Sequence, residues 1–139
     1  DPRRLADVEA ALQSAAPGAR HRLWGGFSPD LLPEVLRAGA GPFSFAFIDG
    51  SHDGDAPRQD ALAVTPLLDH DAVVVFHDLV SPFVERGLYA MREAGFRTRL
   101  IRTMQVLGVA WRGEVEVPDY PADPNVPGIF HAHLAKYER

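Results

Sequence analysis

Two short apolar runs in this chain each end in an acidic residue beside a histidine, and that repetition narrows the folds open to it. The first, Phe43-Ser44-Phe45-Ala46-Phe47-Ile48, runs into Asp49-Gly50-Ser51-His52. The second, Ala72-Val73-Val74-Val75-Phe76, runs into His77-Asp78-Leu79. Short, nearly continuous apolar runs suit strands buried on both faces, as in a parallel sheet. In open α/β sheets, ligands bind in the crevice outside the carboxyl ends of such strands. Two carboxylates and two imidazoles therefore fall where such a fold does its chemistry.

The segments around the runs carry helical periodicity. Leu5, Val8 and Leu12 recur at helical spacing, with Ala11 and Ala15 widening the stripe, and Pro17-Gly18 ends it. His21, Arg22, Leu23 and Trp24 form a short strand candidate leading to Gly25-Gly26-Phe27-Ser28. Ser28 and Pro29 offer a cap and a first-turn proline for a helix reaching Arg37, with Pro33 moving its regular start later. Asp55 is the expected cap of a helix through Leu68, its face including Ala61, Val64 and Leu68 and broadened by Leu67; Asp69-His70-Asp71 then turns into the second run. Ser81-Pro82 opens a helix anchored by Val84, Leu88 and Met91 and closed at Gly95. Residues 96–102 and 104–111 read as a closing antiparallel pair around Thr103. Alternation of this kind predicts an α/β fold with a parallel sheet.

From Gly113 onward the character changes. Pro118, Pro121, Pro124 and Pro127 recur at the three-residue period of polyproline II. Asp and Asn interrupt the repeat, which favours an extended surface strap over a recognition strip, and residues 129–137 suit a short final helix. The expected organisation is one domain over residues 1–112, with the strap and helix over residues 113–139.

Composition excludes several classes of function. The 139 residues are 46% hydrophobic and 24% charged, the balance of a soluble globular domain. Net charge is −5 with no basic run, which argues against nucleic acid as a partner. There is no cysteine, so disulfides, thiolate metal sites and cysteine nucleophiles are excluded. No apolar stretch reaches the ~18 residues of a membrane span, and no signal peptide opens the sequence. The expected setting is the cytoplasm, with no membrane partner.

The pattern resembles the C-terminal two-thirds of a class I S-adenosylmethionine-dependent methyltransferase. More narrowly, Phe47-Ile48-Asp49-Gly50-Ser51-His52-Asp53 is similar to the Ile-Asp-Gly-Ser-His strand end of small-molecule O-methyltransferases. Val74-Val75-Phe76-His77-Asp78 is similar to the next strand of that family, and Gly26-Phe27-Ser28-Pro29-Asp30 to the loop that passes the adenine. The resemblance spans roughly residues 2–112 and leaves the tail uncovered. It implies a Rossmann-like methyltransferase sheet, mostly parallel with an antiparallel closing strand. The glycine-rich cofactor loop has no counterpart here, so the expectation is a sheet lacking its first βαβ unit, ~30 or more residues long. Residues 21–24 should then not pair with residues 43–48, and an incomplete domain is expected rather than a natural half-enzyme.

Residue by residue, the resemblance implies S-adenosylmethionine as cofactor, with Gly26, Phe27 and Ser28 against it. It places Asp49, His77 and Asp78 as ligands of a divalent cation such as Mg²⁺, which oxygen donors suit. A cation there would lower the pKa of an acceptor hydroxyl and orient it. His52 lies where catechol-type enzymes carry a catalytic lysine, and an imidazole of ordinary pKa is a competent general base near neutrality. His52 and Asp49 are thus the expected catalytic pair. Leu79 stands where the catechol-type enzymes use a ligating asparagine, a departure that counts against the metal. The expected activity is methyl transfer to a hydroxyl of a small-molecule acceptor, by a monomer or homo-oligomer. Two other readings stay open: a methyltransferase-like subunit serving as a non-catalytic scaffold, and a metal-dependent hydrolase using the same Asp/His cluster.

Overall fold

The computed structural model describes residues 2–121, 124 and 131–137. Strand β1 (Phe43–Ile48) lies parallel to β2 (Leu68–Phe76), with Ala46 opposite Val74 and Ile48 opposite Phe76. Strand β3 (Arg97–Ile101) returns through β4 (Leu107–Arg112), which inserts between β2 and β3 and runs against both. The order is therefore β1-β2-β4-β3. Three strands point one way and the closing β4 runs against them, as the resemblance implies. Among the described residues no strand pairs with the outer edge of β1, and residues 21–24 do not pair with it.

Four helices accompany the sheet: α1 (Pro2–Ala15), α2 (Ser28–Arg37), α3 (Ala56–Val64) and α4 (Pro82–Glu93). Helix α4 buries Val84, Leu88 and Met91, the three anchors read from its spacing. Its approach to β2 depends on Gly87: a Cβ there would stand 2.7 Å from Phe76 Cε1 and 2.8 Å from the Pro57 carbonyl oxygen. The core lies between α3 and α4 and one face of the sheet, where Ala61, Ala72, Val74, Phe76, Leu88 and Ala110 are fully buried.

Several local expectations are corrected. Residues 21–24 form no strand; among the described residues nothing lies beside them to complete a ladder. Helix α2 begins at Ser28, not near Pro33, because the Asp30 and Leu31 amides donate to the Phe27 carbonyl at 3.1 and 3.2 Å and close the first turn. Phe27 is its cap residue, and Ser28, the expected cap, is instead the first residue of the helix. Helix α3 stops at Val64 instead of Leu68, since Thr65-Pro66 tightens the chain into a 3₁₀ turn over Thr65–Leu67. Strand β2 begins at Leu68, ahead of the predicted Ala72. The step from Phe43 to Phe45 on β1 spans Leu68 to Val73 on β2, so the predicted turn at residues 69–71 is an irregularity inside the strand. The Arg112 guanidinium holds that irregular stretch, donating to the Leu68 and Asp69 carbonyls at 2.9 Å each.

Two-sided burial holds for neither strand in full. β2 buries Ala72, Val74 and Phe76 and leaves the alternate residues half-buried, whereas Phe45 and Phe47 of β1 are 58% and 53% exposed. The apolar residues of β1 therefore form an aromatic row open to solvent. Of the tail, Arg99 donates to the Val117 carbonyl and pairs with Asp119, and Ala132–Tyr137 forms a 3₁₀ helix. Pro127 and residues 129–130 lie outside the described residues.

Candidate active site

Parallel pairing of β1 and β2 brings both strand ends to one crevice. The ladder extends one step past β2, where the His77 amide donates to the Ile48 carbonyl at 3.1 Å. Asp49 and His77 thereby emerge side by side. Asp78 follows with a left-handed backbone at φ 61°, a conformation Asp tolerates better than most residues and one that clusters at functional sites. Leu79 locks that turn: its side chain is fully buried and its amide donates to the Val106 carbonyl at 3.0 Å. Gly108 leaves it room, since a Cβ there would stand 2.7 Å from Leu79 Cδ2. The position where the resemblance would put an asparagine ligand is therefore a core anchor.

The four side chains meet. His77 Nδ1 lies 3.4 Å from Asp49 Oδ1 and 3.2 Å from Asp78 Oδ2. His52, on the loop after β1, lies 3.5 Å from each of the same two oxygens, through Nε2 to Asp49 and Nδ1 to Asp78. None of these contacts has hydrogen-bond geometry: His52 Nε2, His77 Nδ1 and Asp78 Oδ1 are buried atoms without a partner. Buried polar atoms ordinarily have partners, and each exception asks for a reason. Asp49, His52 and Asp78 can offer one ligand atom each, all within 4.8 Å of one another. The side chains of His52 and His77 are 35% exposed, so the cluster is open to a ligand on its outer side. The grouping within 4.8 Å contains two of the three expected ligands, Asp49 and Asp78, with His52 as its third member in place of His77.

The proposed cofactor loop lies beside the same crevice. Gly26 has φ 152°, a backbone that favours glycine, and a Cβ there would stand 3.0 Å from Leu31 Cδ1. Phe27 is half exposed. Ser28 lines a cleft of about 460 Å³ with Leu32, Phe47, Asp49, Gly50 and Asp60. The structure thus gathers Asp49, His52, His77 and Asp78, and joins Ser28 to them through this cleft. Gly26 lines a second cavity, which shares Ser28 and Leu32 with this cleft, and Phe27 lies between Gly26 and Ser28 in sequence on the loop leading into α2.

Two further residues have roles here: His133, which the sequence places on the surface, and Asp60, which it does not single out. His133 is half-buried and donates from Nε2 to the Leu79 carbonyl at 2.9 Å, so the tail reaches the turn that carries Asp78. Asp60 is only 4% exposed, with Oδ1 unpartnered. Its signal was legible: it interrupts the stripe Pro57, Ala61 and Val64, which α3 buries. Desolvation raises the Asp60 carboxyl above its ordinary pKa, and the Ser28 hydroxyl partly opposes that. A carboxyl whose folded pKa is raised costs stability as pH climbs from the unfolded value through the folded one. Asp60→Asn is therefore expected to gain melting temperature over wild type as pH rises from 4 to 7. Thermal melts across that range check this; a difference independent of pH would show that the carboxyl does not titrate abnormally.

A Rossmann-like sheet with a carboxylate–imidazole cluster at its carboxyl edge agrees with the resemblance to class I S-adenosylmethionine-dependent methyltransferases. A family model described as a methyltransferase domain matches residues 1–79, from the first helix through the turn carrying Asp78, and the chain belongs to that family. No curated protein matches it. None of the described helices is long and apolar enough to cross a membrane.

Proposed function

We propose that this domain methylates a hydroxyl group of a small molecule, with Asp49, His77 and Asp78 holding a divalent cation and His52 accepting the hydroxyl proton. The observation that carries the reading is the convergence of these four side chains at two adjacent parallel strand ends, with buried nitrogens left unpaired. S-adenosylmethionine, when bound, would supply an electrophilic methyl on sulfur for transfer to the acceptor oxygen. The chain's own groups have the remaining tasks. The loop over residues 26–28 would hold the cofactor, Asp49, His77 and Asp78 would hold the cation, and His52 would take the proton released from the hydroxyl. The cytoplasm is the proposed setting, and the strap over residues 113–139 is proposed as a cover rather than a second domain.

Two of the three metal donors are carboxylates, which suit Mg²⁺, while the imidazole of His77 adds a nitrogen donor that suits Mn²⁺ or Zn²⁺ better. The test is calorimetry of the full protein with S-adenosylmethionine, followed by turnover on phenolic, sugar and polyketide hydroxyls with chelator and with each cation returned. Cofactor binding is expected, with activity lost to the chelator and restored by a divalent cation. Activity unchanged by the chelator removes the metal; no cofactor binding moves the protein to the scaffold reading.

A further inference from the structure

Among the described residues Asp60 and Glu85 are the buried charged side chains, and they are handled differently. Glu85 is satisfied: the Tyr137 hydroxyl donates to it at 2.6 Å and Lys136 Nζ stands 2.8 Å away. Asp60 has no cation in ion-pair range among the described residues, and its Oδ1 has no partner at all. An isolated buried carboxyl is costly and needs a compensating role. Its position supplies one. Asp60 Oδ2 lies 3.3 Å from the point where a Gly50 Cβ would be, and Ser28 Oγ lies 3.8 Å from that same point. Three elements therefore meet at one spot: the first turn of α2, the loop after β1, and the buried face of α3. Ser28, the first residue of α2 and not its cap, brings its hydroxyl to that same spot. Glycine at position 50 lets the loop ride directly over it.

We propose that Asp60 is a positioning residue for cofactor binding: it holds the Ser28 hydroxyl and the Gly50 backbone together, so that the loops over residues 25–28 and 49–52 form one rigid wall. This rests on the reading of residues 26–28 as the cofactor loop. Asp60 touches no reacting atom and acts through Ser28. Its loss therefore weakens cofactor binding and leaves the Asp49/His52/His77/Asp78 cluster in place. The carboxamide of asparagine keeps an oxygen where Ser28 needs one, and so substitutes for it.

Calorimetric titration of S-adenosylmethionine into the full protein tests this with Ser28→Ala, Asp60→Ala, Asp60→Asn and the double alanine variant. Ser28→Ala and Asp60→Ala are each expected to weaken binding ~10-fold, and the double variant no further, because residues acting through one contact are non-additive. Asp60→Asn should recover most of the loss. Multiplying losses in the double variant, or unchanged affinity in folded Asp60→Ala, would overturn the proposal while leaving the methyltransferase reading intact. Should Asp60→Ala not fold, Ser28→Ala and Asp60→Asn decide alone: unchanged affinity in the first, or a tenfold loss in the second, overturns it. Wild-type protein that binds no S-adenosylmethionine overturns both.

Discussion

His52→Ala is expected to lower turnover by ~10²–10⁴-fold, the usual cost of losing a general base. Affinity for S-adenosylmethionine should stay near wild type, because Ser28, Gly50 and Asp60 remain in place. The geometry allows His52 a second role, since it faces the same two carboxylate oxygens as His77. Metal titration separates the two. A base leaves cation stoichiometry and affinity unchanged when removed, whereas a ligand takes affinity with it. A raised reaction pH should also rescue a missing base in part, since the acceptor hydroxyl then ionises unaided. Turnover in His52→Ala equal to wild type would remove His52 from the chemistry and leave it as a loop contact.

The largest effect on stability should come from Phe76→Ala. Phe76 is fully buried at the end of β2, paired with Ile48 on one side and Gly108 on the other, and packs against α4 at Gly87. Truncating such a ring costs ~3–5 kcal/mol, a large share of the ~5–15 kcal/mol that holds a domain together. The site should suffer with it, since Phe76 directly precedes His77 and Asp78. Urea denaturation of both forms measures the loss. A cost below ~1.5 kcal/mol would mean that the site collapses around the missing ring more completely than a glycine-lined contact allows.

Local pattern exposed the parts of this molecule that depend on it. The apolar runs before Asp49 and His77, the anchors Val84, Leu88 and Met91, and the hairpin around Thr103 each announce themselves within a dozen residues, and each element is present. The four-residue cluster was equally legible, because strand ends in a parallel sheet share one edge. Tertiary placement was not. Asp69–Asp71 has the composition of a turn, and only the Arg112 bonds to neighbouring carbonyls explain why the strand starts before it. Ser28 has the look of a helix cap until the fold brings it beside Asp60, 32 positions away, in one cleft. His133 looks like surface until the fold brings the Leu79 carbonyl to it. These three misses are long-range contacts, about which periodicity carries no information.

The insertion of β4 between β2 and β3 has a consequence for how the chain is made. On the ribosome β2 is finished at Phe76, but the strand that pairs its second edge ends only at Arg112, 36 residues later. At ~5–20 residues per second, that edge waits ~2–7 s for its partner. During the wait Val73 to Phe76 present an unpaired apolar ladder, so the nascent chain is most vulnerable to mispairing in that interval. A stop codon before residue 107 would likewise remove an interior strand of the sheet, leaving β3 with nothing to join.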